Sequence, residues 1–125
     1  MIHLDTSVLI DALTGDRRSL PVLRAVVADS IRLGVSSLAL YEWRRGPRVD
    51  QELVLEAALL GPEAVTVFGE QEARVAASVY RRVKRPRGRE LDIAIAACAL
   101  TQEATLFTLN PQDFDDVPGL RLHRP

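Results

Sequence analysis

The sequence contains a single cysteine, Cys98, so it can close no internal disulfide. A fold that manages without cross-links suits a reducing compartment, and the expected location is cytoplasmic. Long apolar runs are missing too. The longest, Ile93 to Leu100, falls far short of the ~20 residues a membrane helix needs. Asp5 and Asp11 interrupt the only early apolar stretch, which argues against a secretory leader. Net charge is only −1, so overall charge advertises no polyanionic partner, and any such case must rest on how charge is distributed. Several catalytic toolkits are absent. There is no phosphate-binding loop of the Walker type, no dinucleotide-binding glycine pattern and no Gly-x-Ser-x-Gly elbow. Lys84 is the only lysine, which counts against a phosphoaspartate phosphatase. The two histidines, His3 and His123, fall in edge-like strands, where surface or packing roles are expected before catalysis.

What is present suits one ordinary domain over residues 1–125. Hydrophobic residues make up 47% and charged residues 26%, enough to bury a core. No repeat, low-complexity tract or linker interrupts it. An apolar strand at Ile2 to Leu4 ends on Asp5. Thr6 can then cap a helix from Ser7 to Leu13, which Gly15 stops. Pro21 marks the first turn of a helix from Leu20 to Asp29. Ile31 to Ser36 reads as a strand. Ser36 or Ser37 caps the next helix, which carries Glu42 and ends at Gly46-Pro47. A helix from Asp50 to Leu60 follows, then a β-branched strand at Ala64 to Phe68. Ala73, Ala76, Tyr80 and Val83 recur at helical spacing within Glu70 to Lys84. A loop at Arg85 to Arg89 leads into Leu91 to Gln102, a helix apolar almost all round and hence buried. Thr105 to Thr108 and Leu120 to Leu122 complete the strands. This alternation predicts an α/β fold: a mostly parallel central sheet with helices on both faces and right-handed crossovers. Ligand sites in such sheets lie beyond the carboxyl ends of the strands. That rule selects Asp5 and, after a short loop, Asp113.

Taken singly, each acid has an ordinary explanation. An Asp after a strand is commonly a helix cap, and Glu42, between Tyr41 and Trp43, suits a half-exposed helix position. Asp92, however, starts the nearly all-apolar helix, where a charge is costly unless paired, metal-bound or eased by the helix dipole. Several carboxylates gathered together suit metal-assisted phosphodiester hydrolysis. Mg²⁺ and Mn²⁺ prefer oxygen ligands, and no His, Cys or Lys is then needed around the ion.

Four segments in order carry a closer likeness: L-D-T-S-V-L-I at 4–10, Y-E-W-R-R-G at 41–46, L-D-I-A-I-A-A at 91–97 and T-L-N-P-Q-D-F at 108–114. Together they resemble a PIN domain and, more narrowly, the VapC toxins of bacterial toxin–antitoxin pairs, across residues 2 to 122. The resemblance implies a single PIN-like domain and hydrolysis of RNA by a metal-activated water, with Mg²⁺ or Mn²⁺ as cofactor. It assigns Asp5, Glu42, Asp92 and Asp113 to the acidic metal-binding quartet, although Asp115 and Asp116 are alternatives to Asp113. Thr6 and Ser7 match the hydroxyl positions after the first Asp, and Thr108 and Asn110 match the T-x-N segment that shapes the pocket. It further implies a homodimer and a separate antitoxin whose C-terminal tail covers the site. Two other functions stay open: a housekeeping RNA-processing nuclease of the same fold, and a non-catalytic RNA-binding module.

Residues 81–89 read R-R-V-K-R-P-R-G-R, with six basic positions in nine. They suit either a solvated helix end or an RNA-backbone cradle built on Arg82, Lys84, Arg85, Arg87 and Arg89. Arg44, Arg45 and Arg48 would extend such a cradle, and an acidic antitoxin tail could use the same groove. Trp43, Tyr41 and Tyr80 are expected to pack rather than stack on bases, because aromatics are only 5% of the chain and the core needs them. Cys98 reads as a small buried hydrophobe. Leu53 to Leu60, apolar on more than one face, is a candidate dimer or antitoxin surface.

Overall fold

The structure, a computed structural model, describes residues 1–124. Its sheet is formed by β1 (Ile2–Leu4), β2 (Leu33–Ser36), β3 (Val65–Thr66) and β4 (Thr105–Phe107). Six helices connect them among the described residues: α1 (Thr6–Leu13), α2 (Leu20–Ala28), α3 (Ser37–Arg44), α4 (Asp50–Leu59), α5 (Glu70–Arg82) and α6 (Glu90–Thr101). The strand order is β3-β2-β1-β4 and every pairing is parallel. Parallel strands need crossovers, and burial of all of β1 and β2 follows from helices covering both faces.

The strand signals overreached at three ends. Ile31 stays exposed outside β2, after Ser30 takes a left-handed turn at φ 63°. β3 keeps only Val65 and Thr66 of the expected run, and the last strand shrinks to one bridge between Leu106 and Leu122. Helices are closer to expectation. Asp5 rather than Thr6 takes the cap position of α1, and Ser36 caps α3 by accepting the Ala39 N–H at 3.0 Å.

β1 is an interior strand, so His3 is a core residue and not an edge one. Its ring is 1% exposed, and burial pushes its pKa down to about 4. Gly34, paired with it on β2, leaves room for the ring: a Cβ there would stand 2.8 Å from His3 Cδ2. α6 is buried from Ile93 to Ala99, Cys98 included, between α5, α3 and the sheet.

The order of connection positions the site. The chain leaves β1 for β2 and β3 on one side, then returns to place β4 on the other side of β1. The crevice between the carboxyl ends of β1 and β4 is therefore the switch point of the sheet. Asp5 follows β1 directly, and Thr108 follows β4 directly.

Candidate active site

Asp5 has the backbone of a helix cap, yet its side chain caps nothing. Its carboxylate turns into the crevice, where Oδ2 accepts from Thr108 Oγ1 at 2.7 Å and from Ser7 Oγ at 3.0 Å. Ser7 Oγ in turn accepts the Leu109 N–H at 3.1 Å, and Thr108 Oγ1 accepts the Asn110 N–H at 3.0 Å. These bonds join α1 to the loop after β4 and fix the direction of a carboxylate that is only 6% exposed. Asn110 contributes its backbone to this lattice. On the other side, Thr6 Oγ1 donates to Glu42 Oε1 at 2.7 Å, so consecutive hydroxyls orient two different acids. Arg45 stands 3.9 Å from the other oxygen of Glu42.

Asp92 lies in the first turn of α6. Burial, followed by the negative charges of Asp5, Asp113 and Glu42, lifts its pKa to about 6, and Arg89 offsets part of this. The four acids thus share one electrostatic field. They do not form a closed cage: among the described residues no three His, Cys, Asp or Glu side chains stand close enough to hold one ion.

Of the three clustered aspartates, Asp113 is the one whose charge reaches Asp92. Asp116 is occupied elsewhere, its two oxygens accepting from Arg89 at 3.0 and 2.6 Å. Arg89, expected in the basic cradle, is therefore committed to the protein itself. Arg82, Lys84, Arg85 and Arg87 are exposed. Arg44 and Arg48 also leave the cradle. Arg44 forks onto Glu56 at 2.6 and 2.8 Å, and Arg48 lies over the buried Trp43 ring, 3.7 Å from its centroid. Trp43 packs as expected, whereas Tyr41 is exposed and Tyr80 half-buried.

Glu56 escaped sequence reasoning. It is the buried residue of α4, and it also accepts the Trp43 indole N–H at 2.7 Å. The hydrogen bond from Arg44 holds its carboxyl below the usual range. An acid in an otherwise apolar helix stretch was the available signal. Val54, Ala57 and Ala58 on the same helix face solvent.

Two hollows flank this region differently. A cleft of about 570 Å³ runs beside Ser7 and Leu109 along Ile10, Asp11 and Arg18. A more apolar one of about 400 Å³, lined by Met1, Leu33, Leu59 and Ala64, lies at the opposite end of the sheet. The first adjoins Ser7, the hydroxyl partner of Asp5, and the second is lined also by Arg32 and Glu63.

A parallel α/β sheet whose switch point carries Asp5 and Glu42 with their hydroxyl donors, and Asp92 under the charges of Asp5, Asp113 and Glu42, defines a small domain with an acidic site. The chain belongs to the PIN domain family, whose model matches residues 2–120. It is 28% identical over 120 residues to Ribonuclease VapC19 of Mycobacterium tuberculosis, covering 94% of this chain and 95% of that protein. Its fold is that of a chain in the solved structure of VapBC2 from Rickettsia felis bound to a promoter DNA fragment. That match has a TM-score of 0.74 and 20% identity, and covers 98% of each chain. A chain of VapBC-1 from nontypeable Haemophilus influenzae is also similar, with a TM-score of 0.67 and 25% identity over 98% of this chain and 97% of that one.

Proposed function

We propose that this protein is a divalent-cation-dependent endoribonuclease of the VapC toxin type, acting in the cytoplasm and restrained by a cognate antitoxin. The observation that carries the reading is the shared field of Asp5, Glu42, Asp92 and Asp113 at the switch point of a PIN fold. The likeness to a named ribonuclease over nearly the full length supports RNA as the substrate. The likeness to chains of toxin–antitoxin complexes supports the antitoxin partner, and a homodimer is part of the same reading.

The donor set fits Mg²⁺ or Mn²⁺. The acids Asp5, Glu42, Asp92 and Asp113 and the hydroxyls of Thr6, Ser7 and Thr108 offer oxygen donors, as hard cations require, with Arg45 and Arg89 as neighbouring cations. The open arrangement also fits, because Mg²⁺ commonly keeps several waters and takes only one or two carboxylates plus substrate phosphate. Such an ion, when bound, supplies an activated water and neutralises charge developing on the phosphate. The residues of the chain do the rest. Ser7 and Thr108 hold Asp5 in one orientation, and Thr6 holds Glu42. Asp92, carrying a proton more readily than an ordinary Asp, stands where charge neutralisation has most to gain. Arg82, Lys84, Arg85 and Arg87 offset the repulsion between an acidic crevice and RNA.

Incubating the purified protein with transfer and ribosomal RNA, with and without Mg²⁺, tests this reading. Cleavage that requires Mg²⁺ or Mn²⁺ and stops in EDTA is expected. Full cleavage in EDTA refutes the metal requirement, and no cleavage with either ion refutes the nuclease.

A further inference from the structure

Asp92 and Asp113 reach the crevice from segments well separated in sequence, and nothing in their own chemistry holds them together. They repel each other. Asp92 is anchored by α6, whereas Asp113 closes a single 3₁₀ turn, Pro111–Asp113, on the exposed loop after β4. Among the described residues, every hydrogen bond between the start of α6 and this loop is made by one side chain, Arg89. Its guanidinium forks onto the Asp116 carboxylate at 3.0 and 2.6 Å, and Nη2 also donates to the backbone carbonyl of Asp113 at 3.0 Å. Behind it, Nη1 reaches the Arg85 carbonyl at 3.4 Å. Gly88, at φ +81°, takes the left-handed turn that brings the chain round into this position. The side chain is 22% exposed, far less than an arginine left free for phosphate.

We propose that Arg89 and Asp116 form a latch that positions Asp113 opposite Asp92, making Arg89 a positioning residue rather than an RNA contact. The geometry explains why arginine is required. Two parallel N–H···O bonds fix both distance and orientation, and a third donor remains for the Asp113 carbonyl. A lysine is a point charge with no such fork. The latch also explains how a cluster of like charges stays assembled before any cation arrives. The guanidinium supplies a built-in countercharge and restrains the loop that repulsion would otherwise push away. Asp116, three positions beyond Asp113, thus serves the site from outside it.

The inference rests on the metal-nuclease reading for its functional half, and its structural half stands without it. The variants are Asp116→Asn, Arg89→Lys, Arg89→Gln and the double Arg89→Gln/Asp116→Asn. Mn²⁺ affinity is read by calorimetry, kcat and KM by cleavage of an RNA the wild type cuts, and loop order by amide hydrogen exchange at residues 113–117. Partners that orient metal ligands are worth 10- to 100-fold in affinity or activity. Asp116→Asn is therefore expected to lower kcat and weaken Mn²⁺ binding by roughly 10-fold, with KM within about twofold. Arg89→Lys should not rescue, and the double variant should be no worse than Arg89→Gln. Exchange in the loop should accelerate in every variant. If Arg89 instead contacts RNA, Asp116→Asn frees it. KM then falls or holds while kcat and Mn²⁺ affinity stay at wild-type values, and that result overturns the latch. Unchanged exchange in Asp116→Asn overturns it as well, with no need for RNA or metal. A wild type that neither binds Mn²⁺ nor cleaves RNA refutes the nuclease reading, and exchange alone then decides whether the latch exists.

Discussion

Replacing Asp92 by Asn removes a charge that the fold resists. The Asp92 pKa stands at about 6 against an ordinary 3.8, raised first by burial and then by Asp5, Asp113 and Glu42. Two pKa units correspond to about 3 kcal/mol, and solvent screening in a half-open crevice brings this to roughly 1–2 kcal/mol. The sign follows from the direction of the shift. The folded state holds the proton more tightly than the unfolded state, so the site is most favourable to folding below pH 3.8. That advantage is lost as pH rises to about 6, and above it the charged cluster carries its full cost. Asparagine keeps the shape and never ionises. At pH 7.5, without divalent cation, Asp92→Asn should therefore be more stable than wild type by about 1–2 kcal/mol, or roughly 4–8 °C in Tm for a domain of this size. Near pH 4 the difference should vanish. Losing the attraction of Asp92 for Arg89 works the other way, but it is the smallest of the contributions. Mg²⁺ at tenfold its dissociation constant should stabilise the wild type by about 1.4 kcal/mol and the variant much less. RNA cleavage should disappear. Thermal melts of both proteins at pH 4 and 7.5, with and without Mg²⁺, make the check. A variant less stable than wild type at pH 7.5, or equally affected at both pH values, refutes the electrostatic argument.

Other perturbations test separate parts of the molecule. Neutralising Lys84, Arg85 and Arg87 together should flatten the dependence of log affinity for single-stranded RNA on log salt by roughly 2, about 0.7 for each phosphate no longer neutralised; an unchanged slope shows that these groups do not touch phosphate. Glu56→Ala strands the Trp43 indole N–H and the Arg44 fork and should cost about 2–3 kcal/mol in denaturant melts. Because the Glu56 carboxyl is held below its ordinary range, its contribution should be complete at neutral pH and fade as pH falls through the acid range. Gly34→Ala forces a Cβ to 2.8 Å from the His3 ring and should destabilise by about 1–3 kcal/mol. The loss should shrink when His3 is first replaced by Ala; an equal loss in both backgrounds rules out the clash.

The elements were legible because local signals were strong. Pro21 opens α2, Ser36 caps α3 and the apolar run from Ile93 fills α6. Strand ends were not legible, since β propensity describes fit to a half-buried surface and does not reveal where pairing stops. The run through Val67 and Phe68 ends as a strand at Thr66, where its partner β2 has already turned into α3. Strand order was likewise beyond local pattern, so His3 looked like an edge residue although β1 lies inside the sheet. In the site, no single acid stood out by type or spacing, and it was the likeness of four ordered segments to a PIN domain that pointed to Asp5, Glu42, Asp92 and Asp113. The basic residues misled because charge in sequence does not show its partner. Arg44 is claimed by Glu56, twelve positions on, and Arg89 by Asp116, twenty-seven positions on.

The placement of β4 beside β1 has a consequence for synthesis. Asp5 is oriented partly by its neighbour Ser7, yet its shorter bond comes from the Thr108 hydroxyl, made 103 positions later. Folding proceeds from the N-terminus as the chain emerges, and contacts of long sequence separation form late. β1, β2 and β3 can pair while the crevice still lacks one wall, and Asp113 arrives later still. A nascent chain therefore carries Asp5, Glu42 and Asp92 before Thr108 and Asp113 are in place to complete the crevice. Any partner that recognises the finished crevice cannot engage before that point, so the interval between completion and capture is set by how fast β4 docks.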